Sequence, residues 1–250
     1  EYHDIGVGDF VGTVQFNRIG YSTIGIKAVS DQKIFHNVIY RSTQTAISIH
    51  GATDVRMVNN TMFAESGDAV RIEGASSNVE IRNNILWAEA GCDIYVANDS
   101  RTGFFSDYNL LHIGSGGTLI HWITGDENTP DREFFDILDW QSDVAQFDLH
   151  SIGYTVVNTL WSKPRFVNLD QDDYRVCERI AVQRFTGPAF DAGDPLTDQS
   201  LPDEYRNLLV NPGFESGIDG WLVNPDGSVK SSGPTPFEGN SYFYSGSVES

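Results

Sequence analysis

A short pattern of apolar and polar positions recurs four times between residues 33 and 122. Each unit has an asparagine followed by two or three apolar residues, then a Gly/Ser/Thr-rich turn, and re-enters an alternating strand nine residues after the asparagine. The asparagines are Asn37, Asn60, Asn84 and Asn109, spaced 23, 24 and 25 residues apart, and Asn17 marks an earlier member. A fixed period of this length indicates a solenoid, and strand-type alternation indicates coils of β-strands, not helix pairs.

The asparagines have a physical role in such a solenoid. Stacked coils bury their inward residues in a column and pair their backbones with the coils above and below. At a corner, an asparagine amide can bond backbone groups and the next asparagine, about 4.8 Å away at the strand spacing. The N-N-x corners and strands such as GDAVRIEG resemble the right-handed parallel β-helix family, including its pectate-lyase-like and NosD-like repeat proteins. This resemblance covers about residues 10 to 125 and implies an all-β, right-handed parallel β-helix solenoid.

The repeat ends near Gly125, and a different block follows. The run TPDREFFDILDWQSD predicts a short amphipathic helix over residues 130–141, with Thr129 as its cap and Pro130 in its first turn. The rest of the block returns to strands and closes with FTGPAFDAGDP. The block contains the motifs WQ, DLHS, PRFV, DYR and GPAFDAGDP in that order. These motifs resemble a terminal element of bacterial β-helix proteins, and the resemblance implies that residues 126–195 cap the coils of residues 1–125.

A polar, proline-bearing stretch at residues 196–206 predicts a linker. Residues 207–250 begin with NLLVNPGFESGIDGW, in which NPGFESGIDGW resembles the opening of a jelly-roll carbohydrate-binding module. Such a sandwich needs about 100 residues, so we expect this module to be incomplete. The first coil also lacks a visible cover, and an open sheet edge invites aggregation. We therefore expect further domains of the same longer chain as partners.

Composition narrows the possible partners. The formal net charge is −19, from 35 acidic and 16 basic residues, which argues against nucleic acid because backbone binding needs a basic surface. Acidic surfaces suit an extracellular or cell-surface location or bound calcium, and also simple solubility. No apolar run approaches the roughly 20 residues of a membrane span. Cys92 and Cys177 are too few for a disulfide framework, and their pairing stays open.

The resemblance to pectate-lyase-like proteins places a substrate groove on the outer face of the strand that follows each asparagine corner. Alternation in these strands directs one set of side chains inward. The inward residues are Ile47, Ile49, Val70, Ile72, Ile94 and Val96. The outward residues are Ser48, His50, Arg71, Glu73, Asp93, Tyr95, Ile120 and Trp122, and Lys27 joins them one coil earlier.

These outward residues include the groups that uronate lyase or epimerase chemistry requires. Arg71 can neutralise a sugar carboxylate, His50 or Tyr95 can remove a proton, and Tyr95 can protonate the leaving oxygen. We expect Glu73 to belong to the same catalytic patch. The predicted substrate-binding residues are Ser48, Asp93, Trp122 and Lys27. The predicted calcium ligands, in the preceding loops, are Asp68, Glu65 and Glu89.

An ordinary structural interpretation stands beside this hypothesis. Outward solenoid positions are polar by default, and Arg71 and Glu73 can simply neutralise each other. The YGFDPH run of alginate epimerases and the RxPxxR motif of pectate lyases are absent from the sequence. Two function classes therefore stay open. One is a secreted or surface protein that associates with polysaccharide and acts as a lyase or epimerase, and the other is a non-catalytic stalk that displays binding modules.

Several remaining motifs favour structural roles over chemistry. Asn59 and Asn98 begin N-x-S/T sequons, but Asn59 lies in the corner pattern. The run NLDQDDY offers carboxylates for calcium or a solvated turn. His150 belongs to the cap-like DLHSI run, so we interpret it as structural. Trp221 and Phe214 lie in the opening strand of the predicted module and are expected to pack there.

Overall fold

The structure is a computed structural model of the 250-residue chain and describes residues 3–8, 10–125, 131–143, 147–158, 160–176, 188–189, 193–194, 228–230 and 242–244. The chain divides into a unit of Glu1–Asp194 and a unit of Pro195–Ser250. The described part of the second unit is one antiparallel pair of strands, Ser228–Lys230 with Tyr242–Tyr244. The predicted linker and the NPGFE opening, with Phe214 and Trp221, lie outside the described residues.

The first unit is a solenoid of five coils, each of which contributes to three sheet faces in the same order. Face B contains β2 (Thr13–Gln15), β5 (Lys33–Phe35), β8 (Thr53–Val58), β11 (Ser77–Arg82) and β13 (Phe105–Asp107). Face C contains β3 (Arg18–Gly20), β6 (Val38–Tyr40), β9 (Thr61–Ala64) and the first halves of β12 (Ile85–Val96) and β14 (Leu110–Trp122). Face A contains β1 (His3–Val7), β4 (Ser22–Ala28), β7 (Thr45–His50), β10 (Asp68–Glu73) and the second halves of β12 and β14.

All of these strands pair in parallel with the equivalent strands of the neighbouring coils, so the chain forms a parallel β-helix. One column of the core runs through face A, where Ile26, Ile47, Val70, Ile94 and Ile120 are in register. Each of these side chains is fully buried. The solenoid fold is confirmed, together with the inward orientation predicted for six residues. Those residues are Ile47, Ile49, Val70, Ile72, Ile94 and Val96.

The asparagines form a continuous ladder at the corner between faces B and C. The side-chain amide of each of the first four donates to the Oδ1 atom of the next, at 3.0, 3.0, 3.0 and 3.2 Å. The same Oδ1 atoms accept the backbone N–H of the preceding asparagine at 2.9–3.1 Å. The ladder members from Asn37 to Asn109 are buried, so these bonds satisfy corner groups that water does not reach.

The predicted helix over residues 130–141 is wrong at its start. Arg132–Phe134 form β15, an antiparallel strand on the edge of β14, and the helix α1 spans Ile137–Asp143. Asp136 precedes α1, and its Oδ1 atom accepts the backbone N–H of Leu138 at 2.9 Å. Residues with helical spacing of their apolar side chains therefore pair with the open edge of β14 as a strand. The helix begins only after Asp136, which caps it six residues downstream of Pro130.

The ladder ends on a buried carboxylate in the cap. Asp148 accepts bonds from Asn109 Nδ2 at 3.1 Å, from Ser106 and Ser151 hydroxyls at 2.9 and 2.6 Å, and from Trp140 Nε1 at 3.0 Å. The short strand β16 (Ile152–Gly153) then pairs with β14. The WQ and DLHS motifs thus terminate the asparagine column, which is the role expected of the capping block.

A hairpin from the end of the first unit covers face C. It consists of β17 (Phe166–Asn168), a 3-10 turn at Leu169–Gln171 and β18 (Asp173–Val176). Tyr174 packs with Phe63 and Trp87 of the coils. Asp172 of the NLDQDDY run accepts a bond from Arg41 Nε at 2.6 Å. This carboxylate therefore anchors the hairpin to the solenoid.

Candidate functional site

One side chain per coil lines the outside of face A in register. The row consists of Lys27, Ser48, Arg71, Tyr95 and His121, which are partners on successive strands. We call these five residues the polar row. Strand pairing spaces its members by about 4.8 Å, and all five side chains are exposed or half-buried.

Two of the predicted catalytic residues form a second, shorter row beside it. His50 and Glu73 are register partners on adjacent coils, and His50 Nδ1 lies 3.5 Å from Glu73 Oε1. His50 is largely exposed, while Glu73 is half-buried. The structure therefore brings all four predicted catalytic residues, His50, Arg71, Glu73 and Tyr95, onto one continuous surface.

Arg71 is held from three sides. Its Nε atom donates to Glu73 Oε2 and its Nη1 atom to Asp68 Oδ2, both at 2.9 Å. Its guanidinium carbon lies 3.8 Å from the centre of the Tyr95 ring, which is a cation–π distance. Burial lowers the pKa of Arg71, but the bond to Asp68 and the charges of Glu73 and Asp68 outweigh it and raise that pKa. The guanidinium is therefore charged, oriented and already neutralised by two carboxylates.

The outward placement predicted for Trp122 and Ile120 is wrong. Both side chains are buried, and Trp122 packs against Phe104 and Trp140. The pairing of β12 with β14 shifts register between Ala88 and Ala90. The last coil therefore contains one additional residue before its face A strand. Because strand side chains alternate with period 2, one extra residue exchanges inward and outward positions.

His121 is the outward residue that this shift produces, and the sequence interpretation missed it. Its ring lies edge-on to Tyr95, with ring centres 5.2 Å apart. Its Nδ1 atom is 3.9 Å from Oε1 of Glu133, a residue of β15. The register shift lies between Ile113 and Gly116, after the last ladder asparagine, so the spacing of the asparagines does not show it.

Asp93 was also predicted to face outward and is instead completely buried. It lies where the chain turns from face C to face A, and its Oδ1 atom accepts the backbone N–H of Ala88 at 2.9 Å. Its Oδ2 atom has no hydrogen-bond partner among the described residues. Burial raises the pKa of Asp93 well above its usual range, although backbone bonds at Ala88 and His112 act in the opposite direction. Asp93 therefore belongs to the interior, and substrate cannot reach it on the outer face.

Two of the three predicted calcium ligands, Asp68 and Glu65, have separate partners. Asp68 bonds Arg71, and its other oxygen accepts the backbone N–H of Cys92 at 2.9 Å. Glu65 forms an ion pair with Arg41. Within the described ranges, no group of three His, Cys, Asp or Glu residues is arranged to hold a metal ion. Calcium binding, including a role for Glu89, stays a prediction.

Three other titratable side chains, those of His150, Cys92 and His112, have environments that indicate structural roles. Nδ1 of His150 lies 2.8 Å from Asp107 Oδ2, and its ring stacks on Tyr108 with centres 4.6 Å apart. Cys92 is a buried free thiol whose pKa is raised, mainly by burial. His112 is buried with its Nδ1 atom 2.9 Å from the Ser162 hydroxyl, and burial lowers its pKa to about 4. Cys177 lies outside the described residues.

Comparison with known proteins supports the fold and adds no activity. A family model described as "Right handed beta helix region" matches residues 7–131. No curated protein and no solved structure matches the chain. In the part of the chain that the structure describes, no helix is long and apolar enough to cross a membrane. The matched range contains the five coils and the whole polar row.

Proposed function

The chain belongs to the right-handed β-helix family, and from this premise we propose that it associates with polysaccharide through the outside of face A. The polar row is the observation that carries the proposal. It offers one hydrogen-bonding side chain per coil along a straight line, at the strand spacing of about 4.8 Å. A monosaccharide unit of an extended polymer has a comparable length, so successive sugars meet successive side chains.

The contacts of Arg71 favour binding over lyase chemistry. Neutralising a uronate carboxylate requires an arginine with free charge, and Arg71 already serves Asp68 and Glu73. A guanidinium fixed against Tyr95 is instead a rigid platform with remaining N–H groups for sugar hydroxyls. The proposed activity is therefore non-catalytic association, as in a surface protein that holds glycans or displays further modules.

A lyase or epimerase is the second candidate, and one observation favours it. Tyr95, the candidate acid and base, touches the Arg71 guanidinium, and His50 lies on the adjacent row. A substrate carboxylate could displace Glu73 from Arg71, since that pair is half-exposed. Calcium from solution would then assist as a further cation, with Asp68, Glu65 or Glu89 as ligands.

The proposed setting is extracellular or at the cell surface. The net charge of −19 keeps such a solenoid soluble and suits a saline environment. The jelly-roll-like sequence at residues 207–250 supports the proposal, since such modules bind carbohydrate in the family that it resembles. Other domains of a longer chain would be its remaining partners.

Affinity gel electrophoresis tests the association. The chain is run through native gels that contain alginate, pectate, xylan, glucomannan or mixed-linkage glucan, and retardation is compared with a gel without polymer. We expect retardation by at least one polymer, and we expect Tyr95→Ala and Arg71→Ala to reduce it. Arg175→Ala is the matched control, because Arg175 is an exposed arginine paired with Asp173 away from face A. Equal migration in every gel, from a folded chain, contradicts the proposal.

The same polymers separate the two candidates. Each is incubated with the chain, with and without millimolar calcium, and the ultraviolet absorbance of unsaturated uronate products is followed. Non-catalytic association predicts retardation without a rise in absorbance. A rise that both Tyr95→Phe and Arg71→Ala abolish would establish the lyase instead.

A further inference from the structure

A groove runs along face B, on a different side of the solenoid from the polar row. It has a volume of about 430 Å³ and lies between the outer side chains of the face B strands and the corner residues at or just before the start of those strands. On the strand side, Arg56, Glu80 and Phe105 are register partners in three successive coils. On the corner side, Asp54, Asn78 and Gly103 line it.

The aromatic end of the groove is partly open. Phe105 lies on β13, the last strand of the face B sheet, and its side chain is 38 % exposed. Gly103 occupies the adjacent corner with φ = +68°, and a Cβ there would clash with Asn78 Oδ1. The corner therefore has no side chain beside Phe105. The Arg82 guanidinium carbon lies 4.9 Å from the centre of the Phe105 ring, so the part of the ring that Arg82 leaves exposed is the part that can contact a ligand.

The charged residues of the groove are paired with one another. Arg56 Nε donates to Glu80 Oε2 at 2.6 Å, and Arg82 Nε lies 3.4 Å from Glu80 Oε1. Arg82 also forms an ion pair with Asp194. These guanidinium groups are neutralised, and the whole chain is strongly acidic. The groove is therefore a poor site for an anionic polymer.

Paired planar groups still offer hydrogen bonds to a neutral ligand. The Arg56–Glu80 pair leaves guanidinium N–H donors and carboxylate lone pairs, which match the mixed donor and acceptor character of sugar hydroxyls. Asn78 Nδ2 donates to Asp54 Oδ1 at 2.9 Å and fixes a second such pair on the opposite wall. The exposed ring of Phe105 supplies a surface for the C–H face of a sugar.

We propose that this groove binds a neutral oligosaccharide. One sugar stacks on Phe105, and the next units along the solenoid axis hydrogen-bond to the Arg56–Glu80 and Asn78–Asp54 pairs. The choice of a glycan as the ligand rests on the proposed function, whereas the groove itself is a separate site from face A. A polymer that reaches both surfaces would be held at two places, which strengthens retention without a new contact.

Isothermal titration with defined hexasaccharides tests the site. The probes are cellohexaose, mannohexaose, xylohexaose and, as the anionic comparison, hexagalacturonate. We expect at least one neutral probe to bind and hexagalacturonate to bind more weakly. Phe105→Ala should weaken the neutral probe roughly three- to tenfold, the contribution of one aromatic contact. Phe105→Tyr keeps the ring and should retain the affinity.

One control variant and one comparison variant localise the binding. Phe16→Ala removes an exposed aromatic side chain in the first coil, outside the groove, and should leave the affinity unchanged. Tyr95→Ala removes a member of the polar row and reports sugar that binds on face A, so it should lower hexasaccharide affinity less than Phe105→Ala does. Thermal unfolding of each variant verifies that the coils are intact.

The other outcomes are distinguishable. Loss of affinity in Tyr95→Ala but not in Phe105→Ala would place the sugar on face A, which overturns the groove and keeps the proposed function. Tighter binding of hexagalacturonate would overturn the neutral ligand. Failure of every hexasaccharide to bind, while polymers still retard the chain in gels, would overturn the groove alone. Failure in both assays would overturn both proposals.

Discussion

Truncation of one central ladder residue, Asn84→Ala, should destabilise the solenoid strongly. The Oδ1 atom of Asn84 accepts the backbone N–H of Asn60 at 2.9 Å and its side-chain amide at 3.0 Å. Its own amide donates to the carbonyls of Met57 and Arg82, both at 2.9 Å, and to Asn109 Oδ1 at 3.2 Å. The substitution removes all five bonds at a site that is 1 % exposed.

The magnitude follows from the groups left unpaired. The backbone N–H of Asn60 loses its acceptor and the carbonyls of Met57 and Arg82 each lose a donor, whereas the Asn60 side-chain amide keeps the carbonyls of Ile34 and Val58 as acceptors. Each buried group left without a partner costs about 1–3 kcal/mol. Water cannot replace the acceptor easily, because the corner is closed by the coils on either side. We therefore expect a loss of about 3–5 kcal/mol in the free energy of unfolding. That is a large part of the 5–15 kcal/mol typical of folded domains.

Urea titration followed by tryptophan fluorescence measures the loss, since Trp87, Trp122 and Trp140 are buried in the coils and cap. Asn17→Ala is the matched control. Asn17 donates to Asn37 Oδ1 at 3.0 Å and to the Gln15 carbonyl at 2.8 Å, but it is exposed to water. We expect it to cost less than about 1 kcal/mol. An equal loss of unfolding free energy in the two variants would refute the reasoning that burial determines how much each ladder residue contributes to stability.

Three further predictions concern titratable groups. Burial raises the pKa of Asp93 in the folded chain, so the contribution of Asp93 to the free energy of unfolding is most favourable below the unfolded pKa and is lost as the pH rises. Asp93→Asn should therefore raise the free energy of unfolding at pH 7 by about 1–3 kcal/mol. It should also flatten the decline with pH, which urea midpoints measured from pH 4 to 8 would show. The pKa of His112 is lowered to about 4, so the pH dependence of its contribution has the opposite sign. The contribution of His112 to the free energy of unfolding is present above about pH 6.5 and falls by roughly 3 kcal/mol toward pH 4, and His112→Gln should remove that loss. Asp172→Asn removes the ion pair with Arg41, so amide hydrogen exchange should accelerate across residues 166–176 by a factor that corresponds to about 1–2 kcal/mol, while the coils keep their protection.

Each of these has an outcome that contradicts it. An unchanged pH profile for Asp93→Asn would mean that the carboxylate is charged and solvated in the folded chain. A low-pH loss that persists in His112→Gln would assign the loss to other groups. Faster exchange throughout the solenoid in Asp172→Asn would show that the hairpin supports the coils and does not merely cover face C.

The candidate site was partly predictable, because alternation holds along a straight stretch of strand and fails where the chain turns from one face to the next. Ser48, His50, Arg71, Glu73 and Tyr95 all lie within regular strands and face outward as alternation predicts. In contrast, Asp93 lies at a corner, where the chain direction changes and the alternation restarts. The positions of Ile120 and Trp122 depend on a register shift that no local pattern displays.

The start of the helix shows a second limit. Residues 130–141 have helical spacing of apolar side chains, and intrinsic preference alone favours a helix from Pro130. The unpaired edge of β14 offers backbone hydrogen bonds to residues 132–134, and these bonds outweigh the preference. Such competition between local preference and a distant edge becomes visible only after the coils are assembled.

The sequence by itself determined the solenoid, its ladder and its inward column. These features repeat with a period, and each repeat specifies the same local geometry, so the coils follow without knowledge of distant contacts. Tertiary structure decided the rest: the exchange of Trp122 for His121 on face A, the pairing that neutralises Arg71, and the groove beside Phe105 on face B. The physical reason is that these features depend on register between coils and on charge pairs between strands, which stacking creates and a linear pattern does not contain.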